Sequence, residues 1–312
     1  MMKRLLWTML LCAALMVCVL PTLAEPRPLQ SMDELPETNE EGFLPAGEQA
    51  VYYRDHAEGH WYYLSDTLRL EITRTQTKKP LLTYYVADIV CASGTSLYTV
   101  NWNDDKPGRT NGLPQDIAVK AGAVYAQSGD FYSYRIKQKK YPGVIIRDGK
   151  ILYSQTAGKA WDRVPNLATM AFFSSGKAEV NEAWEVSAKE FAARGASTVV
   201  SFGPILMRDG EMADLDKKEC NHKEPRSCMG IIEPGHYVGL LVEGRKNHSD
   251  GCDLTTCAQI LYDLGCTDAL NLDGGNTAAM LFLGESVQLA NNGGVDVNDR
   301  AVPDMLCVGR ID

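Results

Sequence analysis

The chain has 312 residues and a formal net charge of -9, with 40 acidic against 31 basic side chains. An acidic protein of this kind lacks the positive surface that holds a phosphate backbone, so nucleic-acid binding is not expected. Hydrophobic residues make up 45% of the sequence, enough for one large domain with a substantial core. After the N-terminal segment, no apolar run is long enough to span a bilayer.

The N-terminus has the three-part pattern of a secretory signal peptide. Lys3 and Arg4 precede an apolar run over residues 5–20, and Thr22-Leu23-Ala24 then leads to Glu25. We therefore expect cleavage after Ala24 and a mature protein that is secreted or associated with the cell envelope. The two basic residues leave with the signal, which takes the net charge to -11.

Residues 25–50 follow the signal and differ in composition from the rest of the chain. Seven acidic residues and four prolines lie between Glu25 and Glu48, with little apolar content. Such a composition is typical of a segment that cannot bury enough apolar surface to fold. The sequence thus predicts a flexible acidic tether between the signal peptide and the domain.

Cysteine usage is the next feature. The mature chain keeps seven cysteines: Cys91, Cys220, Cys228, Cys252, Cys257, Cys266 and Cys307. Export permits disulfides, and an odd number leaves at least one thiol unpaired. Cys220 and Cys228 are close enough in sequence to pair across a loop. As an alternative, these two cysteines with His222 and His236 form a potential zinc set, although their spacing fits no standard pattern.

The domain is predicted to be rich in β-structure. Residues 51–117 form its β-rich N-terminal part, and residues 118–312 form the remainder. Alternating or continuous apolar runs predict further strands and hairpins at 144–153, 167–180, 197–204 and 236–244.

Helices are few in this reading of the sequence. Ser187 and Glu190 form a capping box at the start of one helix. A second helix is predicted over Leu254–Leu264, with Asp253 as its N-cap and Gly265 after its end.

Residues 269–280 carry the first candidate for a functional site. An apolar run ends at Asp273, two glycines and a polar pair follow, and apolar residues then resume. The pattern predicts a strand, a tight loop and a second strand, with a carboxylate at the first strand's end. Glycines let a ligand approach the backbone closely, which favours a binding loop. An ordinary turn with Asp273 as its polar residue is the alternative.

Two other strand ends repeat this arrangement of a glycine beside ionisable residues. They are Ser128-Gly129-Asp130 and Glu243-Gly244-Arg245, while Arg226 and Arg300 lie in polar loops. Arginine binds phosphate through two parallel hydrogen bonds, so carboxylates with arginines indicate a site for an anionic ligand. A surface ion pair is the alternative for each arginine taken alone.

Together these motifs resemble the phosphodiester glycosidase family over about residues 118–308. The resemblance rests on their order in the chain as much as on any one of them. In order they are Ala126-Gln-Ser-Gly-Asp130, Val144-Ile-Ile-Arg-Asp-Gly149, Ser201-Phe-Gly-Pro204, Pro225-Arg-Ser227, Val242-Glu-Gly-Arg245, Asn271-Leu-Asp-Gly-Gly275 and Arg300-Ala-Val-Pro303.

Two departures from the family pattern stand out. The family usually has asparagine where this chain has Ser128, and Gly-Gly-Gly-Ser where it has residues 274–277. If the missing amide holds a sugar hydroxyl or a phosphate oxygen, activity or specificity has changed.

The resemblance implies an α+β fold, with a mixed or antiparallel sheet core and a few flanking helices in a single large domain. It also implies hydrolysis of a sugar-1-phosphodiester, of the N-acetylglucosamine-1-phosphate type, between the anomeric carbon and oxygen. A phosphorylated glycan is the implied substrate. No cofactor is implied, and a divalent metal is left open.

Roles follow for individual residues under this resemblance. Asp273 is the first candidate for nucleophile or base, and Glu243 and Asp130 are the other acid/base or sugar-orienting candidates. We expect Asp130, Arg226, Glu243, Arg245 and Asp273 to line one pocket. The implied substrate-binding residues are Arg226, Arg245, Arg300, Ser128, Gly274, Gly275, Asn276 and Thr277.

Two other functions are weighed against this one. A glycan-binding protein that has lost catalysis has the departure at Ser128 as its only support, and the retained carboxylates favour an enzyme. A phosphodiesterase that attacks phosphorus usually needs clustered metal ligands, and the sequence has no close His/Asp cluster.

Overall fold

The structure is a computed structural model that describes residues 25–130, 132–139, 141–155, 167–215 and 220–311. The predicted signal peptide lies outside these residues. The strands in the described part of the chain are β1 Arg27–Pro28, β2 Val51–Asp55, β3 His60–Leu64, β4 Leu68–Lys78, β5 Leu81–Cys91, β6 Tyr98–Asn101, β7 Ala123–Ser128, β8 Gly143–Arg147, β9 Lys150–Gln155, β10 Ala168–Phe173, β11 Ala178–Asn181, β12 Ala196–Phe202, β13 Ile205–Arg208, β14 Glu211–Met212, β15 Arg226–Glu233, β16 His236–Val242, β17 Asp268–Leu272, β18 Met280–Phe282, β19 Glu285–Ser286 and β20 Asp304–Arg310.

Short helices flank these strands. The α-helices are α1 Pro114–Ala121, α2 Tyr132–Lys137, α3 Ala188–Ala193 and α4 Leu254–Asp263, and 3-10 turns cover Met32–Glu34 and Gly275–Thr277. Within the described residues, no helix combines the length and the apolar character needed to cross a bilayer.

The strands form three sheets. The largest has ten strands in the order β1-β2-β3-β4-β5-β16-β15-β17-β13-β14. A second sheet has the order β11-β10-β12-β8-β9, and a third has the order β19-β18-β7-β20-β6. The β1–β2 pair is parallel, and the other named strand pairs are antiparallel.

The main core lies where the three sheets meet. Leu70 and Tyr85 come from the large sheet, Phe172 from the second, and Met280 and Leu306 from the third, and all five are buried in one cluster. On β4 the alternation of apolar and polar residues turns one face to this core, as expected for a strand with one solvated face. The predicted α+β fold is confirmed.

The prediction that residues 25–50 form a flexible tether is wrong, because this segment packs against the large sheet. Arg27–Pro28 pairs with β2, and Leu29 and Leu44 are buried against Val51 and Leu64. A few apolar residues are enough to hold this segment in place, because they pack against the edge of the large sheet. Composition averaged over residues 25–50 hides these individual contacts.

Both predicted helix starts are confirmed. Ser187 Oγ accepts the N–H of Glu190 at 3.2 Å, and Asp253 Oδ1 accepts the N–H of Thr256 at 2.8 Å. The prediction missed α1, although Pro114 at its first position is a helix signal. The hairpins predicted at 144–153 and 167–180 are also confirmed.

Candidate active site

Strand pairing explains why distant motifs converge. In the large sheet Leu272 pairs with Ser227 and Val242 pairs with Arg226, so β16 and β17 end where β15 begins. The residues that follow, at 243–245 and 273–275, therefore leave the sheet at one edge. On the third sheet β7 ends beside the start of β18, and the N–H of Asp273 donates to Gly129 O at 3.1 Å.

A cleft of about 310 Å³ opens at this edge, and we name it the Asp273 cleft. Its lining residues are Tyr134, Arg245, Asp273, Gly274, Gly275, Asn276, Thr277 and Arg300. It brings together one carboxylate and two arginines that the sequence singled out, with the whole glycine loop. The aromatic ring of Tyr134, which is 49% exposed, forms part of the wall.

Asp273 is partly buried in this cleft. Burial raises the pKa of Asp273 to about 7; the hydrogen bond from Thr277 and the charge of Arg135 oppose that rise, and the charge of Asp130 adds to it. Thr277 Oγ1 donates to Oδ2 of Asp273. Among the described residues, Oδ1 has no hydrogen-bond partner. One carboxylate oxygen is thus held in place while the other is left for a ligand.

Arg245 supplies a positive group on the wall of the Asp273 cleft. Its backbone has a φ of +59°, which turns the chain sharply after β16. Its Nη1 donates to Asn276 Oδ1 at 2.7 Å, and its Nη2 pairs with the carboxylate of Glu224. The side chain is still 51% exposed, so the guanidinium remains accessible from solvent.

Arg300 is far from Arg245 in the sequence but lines the same cleft. It is exposed, and in the described part of the chain it forms no ion pair with an acidic side chain. Arg300 also lowers the pKa of Asp273, after the larger effects of burial, Thr277 and Arg135. An exposed guanidinium beside a carboxylate is available for an anionic ligand.

Glu243 is buried and its carboxylate is fully engaged. Tyr85 Oη and the N–H of Leu289 each donate to Oε1 at 2.8 Å. On Oε2, His248 Nε2 forms a close contact, and Lys246 Nζ lies 3.5 Å away. A carboxylate with these partners holds the 243–249 loop in shape, and both of its oxygens are engaged within the protein.

Asp130 is buried behind the cleft in a cluster with Arg147 and Asp304. Arg147 Nη2 lies 3.3 Å from both oxygens of Asp130 and also contacts Asp304. The N–H of Ser201 donates to Asp130 Oδ2 at 3.1 Å. Burial and then the charge of Asp130 raise the pKa of Asp304 to about 7, while the charge of Arg147 opposes that rise.

The remaining predicted residues contribute through their backbone or are occupied elsewhere. Arg226 donates through Nε to Cys252 O at 3.1 Å and through Nη2 to His222 O at 2.6 Å. Ser128 Oγ donates to Thr277 O at 2.6 Å and accepts from the N–H of Ala279 at 2.8 Å. In this conformation neither Arg226 nor Ser128 faces the cleft, contrary to the expectation of direct substrate contact.

The glycine loop is fixed by packing as well as by conformation. A Cβ on Gly274 would lie 2.6 Å from Pro225 O, so no side chain fits there. Gly275 has a φ of +62°, and its N–H donates to Pro225 O at 2.8 Å. The Gly275 amide is therefore engaged within the protein, while the residue itself lines the Asp273 cleft.

A second cleft of about 280 Å³ adjoins the first, and we name it the Glu243 cleft. Arg245, Gly275 and Asn276 line both clefts, so the hydrogen-bonded pair Arg245–Asn276 borders each of them. The other residues that line the Glu243 cleft are Pro225, Glu243, Gly244, Lys246, Ala278, Gln288, Asn291, Asp296, Val297, Asn298 and Asp299. The expectation of a single pocket is thus replaced by two clefts that share Arg245.

Two sequence expectations concern metals and disulfides. The expected Cys220–Cys228 disulfide is not formed in the structure. Among the residues described, no group of three or more His, Cys, Asp or Glu side chains is arranged to hold a metal ion. His236 pairs with Asp88 at 2.6 Å on β16, which does not support the zinc set.

Comparison with known proteins now adds to this geometry. Residues 121–309 match the family model for phosphodiester glycosidase. The chain belongs to the phosphodiester glycosidase family. The SPbeta prophage-derived uncharacterized protein YomE of Bacillus subtilis (strain 168) is 27% identical over 169 residues. That match covers 53% of this chain and 25% of the relative, so the chain spans about a quarter of that relative's length.

Solved structures with low sequence identity share the fold. The zebrafish N-acetylglucosamine-1-phosphodiester alpha-N-acetylglucosaminidase catalytic domain, auto-inhibited by its pro-peptide, has a TM-score of 0.59 at 18% identity, over 79% of this chain and 84% of that one. A hypothetical protein from Synechocystis has a TM-score of 0.56 at 12% identity, over 84% of this chain and 64% of that one.

Proposed function

We propose that this protein is an exported glycosidase that hydrolyses a sugar-1-phosphodiester at the anomeric C–O bond. It releases a free sugar and a phosphate monoester, and it acts on cell-envelope or extracellular glycans. The Asp273 cleft carries the proposal, because it combines a carboxylate with an unoccupied oxygen and two accessible arginines. Family membership and the name of the zebrafish neighbour support a sugar of the N-acetylglucosamine type.

The phosphate of the substrate binds between the two arginines. Arg245 is oriented by Asn276 and Glu224, so its guanidinium needs little reordering to receive an anion. Arg300 adds a second positive charge on the same cleft. As the C–O bond breaks, negative charge grows on the departing phosphate, and both arginines stabilise that charge.

Asp273 acts at the anomeric carbon, as the nucleophile or as the base that activates water. A phosphate ester leaves readily, so the second carboxylic acid of an ordinary glycosidase is less needed. Support for this role comes from the described part of the chain, where Asp273 is the one of the three predicted carboxylates that lines the cleft and has an oxygen without a hydrogen-bond partner. Glu243 and Asp130 hold the surrounding loops and strands.

The Glu243 cleft receives the part of the substrate beyond the phosphate. It is lined by carboxamides and charged groups, and a phosphate at Arg245 lies on its border. Lys246 Nζ donates to Asp296 Oδ2 at 2.5 Å and to Leu289 O at 2.7 Å. These hydrogen bonds order the polar wall of the Glu243 cleft before a substrate binds. Such a surface suits a hydroxyl-rich aglycone.

The site of attack is testable with oxygen-18 water. Attack at the anomeric carbon puts the label on the sugar and leaves the released phosphate monoester unlabelled. The monoester is the species to analyse by mass spectrometry, because a free sugar exchanges its anomeric oxygen with water. Label in the phosphate would reject the glycosidase mechanism. Absence of turnover with retained binding of sugar-1-phosphate would instead favour the binding protein.

A further inference from the structure

The start of α4 brings two cysteine side chains into contact beside the arginine loops. Asp253 is the N-cap of this helix, Cys252 precedes it, and Cys257 is the fourth helical residue. Side chains at these two positions commonly pack together and fix the path by which the chain enters a helix. Here both are thiols, and their Sγ atoms are 3.4 Å apart.

A covalent bond needs little further movement. A disulfide has an S–S distance of about 2.05 Å and requires nearby Cβ atoms that point towards each other. Two sulfurs already in contact reach that distance through small side-chain rotations. We propose that Cys252 and Cys257 form a disulfide during oxidative folding, which links the start of α4 to the segment before it. This inference does not depend on the reaction that the site catalyses.

Cys228 is the competing partner, since its thiol also contacts Cys257. Two observations favour Cys252. Cys228 lies within β15, where pairing with Leu240 on β16 and Asn271 on β17 fixes its backbone on both sides. Cys252 is only five residues from Cys257, so the two thiols meet often in the unfolded chain, at a small loop-closure cost.

The bond forms by exchange with a disulfide oxidant such as oxidised glutathione. One cysteine thiolate attacks the oxidant, releases one glutathione thiol and leaves a mixed disulfide; the other cysteine displaces the second glutathione thiol. Two protein thiols thus become one disulfide, and one oxidant becomes two thiols. In the folded state, contact with Cys257 and burial raise the pKa of the Cys252 thiol. Because the thiolate is scarce in the folded state, the disulfide forms before this segment packs into the folded protein.

The cross-link stabilises the positively charged side of the site. Cys252 O accepts both the N–H of Glu224 and Nε of Arg226 at 3.1 Å. The Glu224 carboxylate in turn pairs with Arg245 on the wall of the Asp273 cleft. A bond at Cys252 therefore restrains a segment that holds one of the cleft arginines in place.

Peptide mapping of the wild-type protein provides the direct test. After refolding in a glutathione redox buffer, free thiols are alkylated and the protein is digested without reduction by an endoproteinase that cuts before aspartate. Cleavage before Asp250, Asp253 and Asp263 separates residues 250–252 from 253–262, which then stay together only through the proposed bond. We expect this linked pair, and its separation on reduction. Recovery of both peptides alkylated, or of 253–262 linked to 216–249, would overturn the proposal.

A matched pair of variants gives a second readout. The oxidised wild type should melt on the order of 5 °C above the reduced protein, because the bond restricts the unfolded chain. Cys257→Ala should abolish this redox-dependent shift. Cys266→Ala should keep it, since the Cys266 sulfur packs against Gly230 on β15, away from the pair. A shift that persists in Cys257→Ala would contradict the assignment, and if that variant fails to fold, the wild-type peptide map decides.

Discussion

Replacing Asp273 with asparagine tests the centre of the proposed mechanism. The substitution keeps the shape of the side chain and the hydrogen bond from Thr277 but removes the charge. We expect the rate to fall by at least about a hundredfold, which corresponds to roughly 2.7 kcal/mol of lost transition-state stabilisation. Binding of sugar-1-phosphate should persist, because Arg245 and Arg300 remain.

The wild type should also show a pH dependence that the variant lacks. The pKa of Asp273 is raised to about 7, so the ionised, active form is about a tenth of the total at pH 6 and nine-tenths at pH 8. kcat/KM should therefore rise about tenfold between these pH values. The assay is hydrolysis of a sugar-1-phosphodiester, followed by release of the phosphate monoester over this pH range.

A matched variant and two outcomes make this test decisive. Asp263→Asn alters an exposed carboxylate on α4 that accepts from Gln259 at 2.8 Å, and it should leave both the rate and the pH profile unchanged. If kcat/KM of Asp273→Asn still falls as the pH is lowered, a group other than Asp273 causes the pH dependence. A wild-type rate that falls as the pH rises through 7 would mean that protonated Asp273 is the active form, which contradicts its role as nucleophile or base.

Two further predictions concern arginines. Arg245→Ala should weaken sugar-1-phosphate binding, measured by calorimetry, about tenfold to a hundredfold, with little effect on the binding of free sugar. Arg226→Ala should weaken sugar-1-phosphate binding less, because the Arg226 guanidinium donates to backbone carbonyls. Equal losses of affinity in the two variants would refute the assignment. Arg147→Met should lower the free energy of unfolding in urea by about 3–5 kcal/mol, because it leaves the buried Asp130 carboxylate unpaired. Arg208→Met, which breaks an exposed ion pair, should lower it by under about 1 kcal/mol. Similar losses of stability in the two variants would contradict the role of the buried ion cluster.

The sequence predicted the strand ends well because their signal is local. An apolar run followed by glycine and an ionisable residue marks where the chain leaves a buried strand, and Asp273 and Arg245 both do so at one edge of the large sheet. The helix caps were equally readable, since Ser187 and Asp253 bond to backbone groups three residues away. Such contacts depend only on neighbours in the chain.

The buried ion cluster was not predicted, because its signal is not local. Arg147 ends the apolar strand β8 and lies inside the hairpin predicted at 144–153, while Asp304 begins another buried strand and carried no signal of its own. Each looks like an ordinary strand boundary until the partner's position is known. The same limit applies to Arg226, since only the fold shows that His222 and Cys252 carbonyls engage its guanidinium.

Ser128 bears on the choice between an enzyme and a binding protein. Its departure from the family's asparagine was the only sequence support for lost catalysis. In the structure its hydroxyl bridges the backbone at Thr277 and Ala279, and Thr277 in turn donates to Asp273. The serine therefore fixes the loop that orients the proposed catalytic carboxylate. Since the side chain is buried and joined to that loop, its identity is explained by local packing, and the substitution gives no independent reason to infer an inactive site.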